Sequence, residues 1–139
     1  VPNQKGRDIA ELVMKAIRDR CPPSVTVEVS DPEMGDPYLV VPPGHENTPA
    51  DQSPFFARAF THAEKAIKGS FGTKPIYLRE GGSIPIISDL KEVVGLDSLL
   101  IGLFTPEDNL HAPNESFHLG ILEKAISAFE EFFVDLASG

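Results

Sequence analysis

The sequence predicts an α/β fold in which helices cover a mostly parallel sheet. Segments with apolar residues at helical spacing alternate with short apolar runs typical of strands, and turns rich in Gly or Pro separate them. From residue 53 onward the order is helix, strand, helix, strand, loop and helix, which implies right-handed crossovers between parallel strands. With 139 residues, the chain is long enough for one core and too short for two ordinary domains.

The first segment predicts one helix and one strand. Residues 7–20 carry apolar side chains at helical spacing and are closed by Pro22 and Pro23. Residues 25–29 alternate apolar and polar side chains, as a half-buried strand does. One helix and one strand cannot cover their own apolar faces. Residues 1–30 are therefore predicted to be part of a domain whose remainder is missing from this chain or is supplied by another subunit.

A proline-rich segment, residues 31–52, is predicted to cross over to the main domain, residues 53–139. Ser53 is the predicted cap of the next helix, which Gly69 and Gly72 are expected to end. The predicted buried face of this helix is Phe55, Phe56, Ala59, Phe60, Ala63, Ala66 and Ile67.

The remaining elements alternate strand and helix. A strand at residues 75–79 precedes a helix that is predicted to run from a cap at Ser83 to Gly95, with Ile84, Ile87, Leu90 and Val94 buried. The continuous apolar run at residues 98–104 predicts a strand buried on both faces. A closing helix is expected from about residue 117, with a buried stripe of Leu119, Leu122, Ala125, Ile126, Phe129, Phe133 and Leu136.

The composition excludes several classes of protein. The net charge of −9 argues against binding of nucleic acid or anionic lipid. Cys21 is the only cysteine, which excludes an internal disulfide and Cys-rich zinc sites and favours a cytoplasmic location. The longest apolar stretch, residues 99–104, is far shorter than the ~20 residues that cross a bilayer. The first residues do not look like a native beginning, so we expect a longer protein.

Two loops follow predicted strands, where ligands bind in α/β sheets. In the first, Arg79 is followed by Glu80, Gly81, Gly82 and Ser83. Glycine backbone N–H groups at a helix N-terminus, beside an Arg fork, would hold a carboxylate or phosphate. The alternative is a tight turn, with Arg79 paired to a carboxylate of the fold.

The second loop, residues 105–115, carries His111. Imidazole on a loop after a strand is a common zinc ligand, and Asp108 or Glu115 could orient its other nitrogen. Two alternatives stay open: His111 bonded to backbone, or Asp108 and Glu115 as an acid–base pair. The other histidines are interpreted as structural or solvated, and they are His45, His62 and His118.

These two loops resemble one known family. Arg79-Glu80-Gly81-Gly82-Ser83-Ile84-Pro85 is similar to the Arg-Glu-Gly-Gly-Ser/Thr-Ile-Pro loop of the carnosinase-like dipeptidases and aminoacylases. Residues 107–115, with Asn109, His111 and Pro113-Asn114-Glu115, resemble the Asn-x-His-Ser/Ala-Pro-Asn-Glu loop of the same di-zinc metallopeptidases. The whole chain resembles their C-terminal portion, with residues 1–30 as part of an inserted lid, or dimerisation, domain.

The resemblance implies zinc-dependent hydrolysis of a dipeptide or related amide by a homodimer with two zinc ions in each active site. By that analogy His111 is a ligand to one zinc, and Arg79 with the backbone of Gly81, Gly82 and Ser83 holds the carboxylate of a small peptide substrate. The catalytic carboxylates and the other ligands of the family are missing here, so this chain alone is expected to be inactive.

Two other functions remain open from the sequence. A metal-free module would keep the carboxylate cradle and use residues 1–30 for dimerisation. A phosphate-binding domain would use the helix end at Gly81, Gly82 and Ser83, and its phosphate binding would survive loss of His111.

Overall fold

The computed structural model describes residues 4–30, 34–79 and 84–138. Four α-helices form: α1 at Gly6–Arg20, α2 at Pro54–Phe71, α3 at Pro85–Asp89 and α4 at Leu119–Ser138. A π-helical turn, Leu90–Val94, continues α3, and a 3-10 turn, Pro106–Asp108, precedes α4. No segment of these described residues is paired as a β-strand. The α/β sheet therefore stays a prediction.

The chain divides into two compact units. One comprises Val1–Leu39 and Arg79–Ser98, and the other comprises Val40–Leu78 and Leu99–Gly139. The domain boundaries predicted from the sequence, after residues 30 and 52, refer to the longer protein, and they stay a prediction.

In the first unit, Asp36 anchors the N-terminus of α1. Its Oδ1 accepts the Gly6 N–H at 2.8 Å, and its Oδ2 lies 2.6 Å from Lys5 Nζ. The hydrogen bond from Lys5 holds the pKa of the Asp36 carboxyl below its usual range. A carboxylate at this helix end satisfies a free N–H group and opposes the positive end of the helix dipole. A side chain at Gly6 would meet the Gly35 carbonyl oxygen at 2.9 Å, so this close approach requires glycine.

The first unit also contains a group of polar contacts around Tyr38. The Tyr38 hydroxyl accepts the Ser98 N–H at 2.9 Å, and Asp97 pairs with Lys91 at 2.7 Å. Partial burial raises the pKa of Tyr38. These bonds fix the segment that follows the π-helical turn.

The burial predicted for the helix after Ser83 is wrong at two of its four positions. Ile84 is 57% exposed and Val94 is 59% exposed, whereas Ile87 and Leu90 are half-buried. Ile84 precedes α3 and has an extended backbone, so it does not belong to the helical face. Val94 ends the π-helical turn, whose wider turn moves it off the face of Ile87 and Leu90. Gly95 ends the segment with φ of +74°, as predicted. Ser83 lies outside the described residues.

The second unit is built on the packing of α2 against α4. The interface is lined by small and aromatic side chains: Ala63, Ala66, Ile67 and Phe71 of α2, and Ala125, Ala128, Phe129 and Phe132 of α4. Ala66 is 1% exposed and Ala125 is 2% exposed. Alanines at these positions let the two helix backbones approach closely. The helix α2 begins after Ser53, as predicted, and continues past Gly69 to a left-handed end at Gly72.

Ion pairs connect the same two helices. Lys65 Nζ of α2 lies 2.5 Å from Asp135 Oδ2 and 3.5 Å from Glu131 Oε1 of α4. The Nδ1 atom of His62 lies 3.7 Å from the same Asp135 oxygen. The hydrogen bond between Lys65 and Asp135 lowers the pKa of Asp135 and raises the pKa of Lys65.

The predicted apolar stripe of α4 is only partly buried. Ala125 is buried as predicted and Phe129 is half-buried, but Ala128, which was not predicted, lies in the interface. Several predicted positions are exposed instead: Leu119, Leu122, Ile126 and Phe133. On α2, Phe55 is likewise 57% exposed. The helix α4 is apolar on more than one side, so spacing alone did not identify the side that meets α2.

The apolar run before the His111 loop is covered on one face only. Ile101 and Leu103 line the interface of α2 and α4, while Leu100 is 51% exposed and Phe104 is 44% exposed. The burial predicted on both faces is therefore not present in this chain. Among the helices in the described part of the chain, none is long and apolar enough to cross a membrane.

Ala66 is buried in the α2–α4 interface. We expect Ala66→Leu to lower the free energy of unfolding by about 1–3 kcal/mol, the usual cost of overpacking. Chemical denaturation measures this change. Lys68→Leu adds the same side chain at an exposed position of α2, and it should change the stability far less. Equal effects of the two variants would contradict the packing described.

The pH dependence of stability tests the ion pair. Because the pKa of Asp135 is lowered, its carboxylate stabilises the folded state above the ordinary carboxyl pKa, about 3.9, and this stabilisation is lost as the pH falls through the pKa of the folded state. Because the pKa of Lys65 is raised, its ammonium group stabilises the folded state below about pH 10.4, and this stabilisation is lost at higher pH. Asp135→Asn should thus lower Tm between about pH 5 and 9, with the difference shrinking toward pH 2.

Glu123→Gln is the control for this measurement, because it neutralises an exposed carboxylate on the same helix. It should leave the pH dependence nearly unchanged. A difference between wild type and Asp135→Asn that stays constant down to pH 2 would show that the charge of Asp135 does not matter.

Candidate functional site

The two predicted site segments are described to different extents. Arg79 is exposed and lies at the end of residues 75–79, in the first unit. The rest of the predicted carboxylate cradle, Gly81, Gly82 and Ser83, lies outside the described residues. The segment with His111, residues 105–116, is described throughout.

The His111 loop starts with a tight turn that its sequence explains. Thr105 has an extended backbone, with φ of −115° and ψ of 161°, and Pro106 begins the 3-10 turn. The Asp108 side chain turns back, and its Oδ2 accepts the Thr105 N–H at 2.6 Å. A Thr followed three residues later by an acidic residue is a typical helix-start pattern. Asp108 is only 4% exposed.

Beyond Asp108 the backbone adopts an unusual conformation. Asn109, His111 and Asn114 have φ angles of 53°, 60° and 62°. The left-handed region is uncommon for residues other than glycine, and such strain clusters at functional sites. Two turns stabilise this backbone conformation. The Ala112 N–H donates to the Asn109 carbonyl at 3.0 Å, and the Glu115 N–H donates to the Ala112 carbonyl at 3.2 Å.

His111 is exposed, and its backbone is fixed. Its N–H donates to Glu115 Oε2 at 3.2 Å. Asp108 and Glu115 therefore each accept a backbone N–H group, and the orientation of the imidazole by one of them stays a prediction. The left-handed conformation of His111 turns its N–H group away from ordinary backbone partners, and the Glu115 carboxylate accepts it. Asp108 is also buried, which gives no support to an acid–base pair with Glu115.

The other three histidines have local structural contacts, as predicted. His45 Nδ1 accepts the Asn47 N–H at 3.2 Å, and His118 Nδ1 accepts the Gly120 N–H at 3.1 Å in the first turn of α4. His62 faces Asp135 in the ion pairs between α2 and α4. His111 is thus distinguished by its position on the strained loop.

The described residues contain no group of three or more His, Cys, Asp or Glu side chains that could hold a metal ion. Zinc in a catalytic site takes three protein ligands. The exposed imidazole of His111 fits one such ligand, and the other donors would have to come from outside the described residues.

Sequence analysis missed the anchoring role of Asp108. The signal was present in Thr105-Pro106-Glu107-Asp108, because Thr and an acidic residue at this spacing predict reciprocal bonds at a helix start. The three-residue turn is too short to show a helical periodicity, so periodicity does not distinguish it from an irregular loop.

Curated dipeptidases match parts of this chain. The Beta-Ala-His dipeptidase of Homo sapiens is 33% identical over 75 residues, which are 54% of this chain and 15% of that protein. A Cys-Gly metallodipeptidase of Saccharomyces cerevisiae is 38% identical over 66 residues, 48% of this chain and 14% of that protein. The cysteinylglycine-S-conjugate dipeptidase of Corynebacterium striatum is 29% identical over 133 residues, 94% of this chain and 26% of that protein.

The matched stretches span between 14% and 26% of the length of these relatives. No family model matches the chain, and no solved structure matches it at a significant level. The partial matches to several dipeptidases confirm the resemblance that the two loops indicated.

Proposed function

We propose that this chain is part of a zinc-dependent dipeptidase, in which it supplies one zinc ligand, His111, and the anchor for the substrate's carboxylate, Arg79. The observation that carries the proposal is the exposed imidazole of His111 on a loop with three left-handed residues. The printed names of the relatives, dipeptidase and metallodipeptidase, support the same reaction class.

His111 suits the role of a ligand because its backbone is held while its ring is exposed. The left-handed φ and the bond from its N–H to Glu115 fix the direction in which the side chain leaves the loop. When bound, zinc lowers the pKa of a coordinated water and polarises the scissile carbonyl. We propose two zinc ions per active site, as the resemblance implies.

Arg79 suits the role of an anchor because a guanidinium can hold both oxygens of a carboxylate at once. It is exposed in the structure. In a chain with a net charge of −9, an exposed cation at a ligand loop favours an anionic group of the substrate. The backbone of Gly81, Gly82 and Ser83 is part of the same proposal.

Further properties of the intact protein belong to this proposal. They are an α/β catalytic domain with a mostly parallel sheet, a homodimer, a small peptide substrate and a cytoplasmic location. This chain alone is expected to be inactive, because one imidazole cannot hold zinc in the three-ligand site that catalysis needs.

The alternative is a metal-free module that binds carboxylates and dimerises without catalysis. It requires no zinc ligand, so loss of His111 would leave ligand binding unchanged. The left-handed backbone of His111 favours the enzyme, because such a conformation is uncommon for residues other than Gly, Asn and Asp and clusters at functional sites.

Loss of the proposed ligand should abolish hydrolysis. In the full-length protein, His111→Ala should lower kcat/KM for a dipeptide by more than the roughly 10- to 100-fold that loss of a contact supporting a metal ligand costs. It should also reduce bound zinc. The measurements are steady-state kinetics and metal content after dialysis. His45→Ala is the control, because His45 is another exposed loop histidine. Full activity and full zinc content in His111→Ala would contradict the proposal.

Loss of the proposed anchor should act through the substrate's carboxylate. Arg79→Ala should lower kcat/KM by about 10- to 100-fold, since hydrogen bonds to charged groups contribute about 1.5–3 kcal/mol. The loss should be seen with a dipeptide and should be nearly absent with the same dipeptide amidated at its C-terminus. Arg7→Ala removes an exposed guanidinium from α1 and serves as the control. Equal losses with both substrates would exclude contact between Arg79 and the carboxylate.

A further inference from the structure

The buried carboxylate of Asp108 lies beside the proposed zinc ligand and has no role in the function described above. Its neighbours on the same turn, Glu107 and Asn109, are exposed, whereas Asp108 is 4% exposed. Burial of a carboxylate is costly unless hydrogen bonds compensate it. A buried acidic residue in a short surface loop therefore indicates a specific use.

Asp108 closes the His111 loop at both ends. Its side-chain Oδ2 accepts the Thr105 N–H at 2.6 Å at the entry of the loop. Its backbone carbonyl accepts the Ser116 N–H at 2.9 Å at the exit. His111 lies between these two points, so one residue determines how the chain enters and leaves the segment that carries the imidazole.

The closure has an energetic consequence. A left-handed conformation is unfavourable for residues with a side chain, least so for Asn, and three such residues follow Asp108 within six positions, Asn109, His111 and Asn114. A loop free at both ends would relax to ordinary φ angles. The bonds of Asp108 at the two ends oppose this relaxation, and the bond between His111 N–H and Glu115 adds to them.

We propose that Asp108 is a positioning residue for His111: its buried carboxylate fixes the entry of the loop at Thr105 and thereby stabilises the conformation of residues 105–116 that presents the imidazole to zinc. The proposal rests on the zinc-ligand role of His111 proposed above. Asp108 itself accepts only backbone N–H groups in this arrangement, so it acts through the loop.

The first readout is amide hydrogen exchange in the metal-free, full-length protein, followed by mass spectrometry of peptides from residues 105–116. Asp108→Ala should speed exchange in this segment by about tenfold or more, because removing a partner from a buried hydrogen bond costs about 1–3 kcal/mol. Exchange in α2 and α4 should not change. Asp108→Asn keeps an oxygen that accepts the Thr105 N–H, and it should restore most of the protection.

The second readout is zinc affinity, measured by competition with a chelator. Asp108→Ala should weaken zinc binding by about 10- to 100-fold, the usual cost of losing a residue that orients a ligand, and Asp108→Asn should recover most of it. Glu107→Ala is the matched control, since it removes an exposed carboxylate from the same turn. If Asp108→Ala does not fold, Asp108→Ser replaces it, because its shorter side chain cannot reach the Thr105 N–H.

The outcomes separate this proposal from the function on which it rests. If His111→Ala weakens zinc binding and the Asp108 variants do not, the function stands and the positioning role is overturned. Unchanged amide hydrogen exchange of residues 105–116 in Asp108→Ala would also overturn the positioning role. If wild type binds no zinc, the proposed function fails, and the positioning role fails with it, even where the exchange data show that Asp108 anchors the loop.

Discussion

The close packing of α2 on α4 through alanines is the interaction on which the second unit depends. Ala63 and Ala66 of α2 and Ala125 and Ala128 of α4 are buried in this interface, and the ion pair of Lys65 and Asp135 joins the same two helices. The apolar run with Ile101 and Leu103 packs on the same interface. Both ends of the His111 loop are thereby attached to one packed core, since the loop connects this run to α4.

Between those fixed ends, the loop is organised by its own polar groups. Asp108 accepts the N–H groups of Thr105 and Ser116, and Glu115 accepts the N–H group of His111. The tertiary packing therefore sets where the loop lies, and the local bonds set its backbone conformation. This division explains how an exposed histidine can have a defined direction without burial of its side chain.

The sequence predicted the helices well because their signals are local. Pro54 after Ser53 and a left-handed Gly72 mark the ends of α2, and Gly95 marks the end of the π-helical turn. The buried faces were predicted less well. Ile126 and Phe133 fit a helical stripe as well as Ala125 does, but exposure depends on the neighbouring element, which periodicity does not specify.

The candidate site was predictable to a similar extent. The position of His111 on a loop after an apolar run followed from the sequence, whereas the left-handed backbone and the burial of Asp108 did not. Such features arise from hydrogen bonds whose geometry a pattern of residue types does not fix. Exposed apolar side chains such as Ile76, Leu78 and Leu119 agree with the expectation that further polypeptide covers this chain in a longer protein.

Anomalous X-ray diffraction at the zinc edge, from crystals of the full-length protein, tests directly whether His111 binds zinc as proposed. We expect an anomalous peak about 2.0–2.1 Å from a ring nitrogen of His111. Zinc bound elsewhere in the protein, with the His111 imidazole directed to solvent, would contradict it.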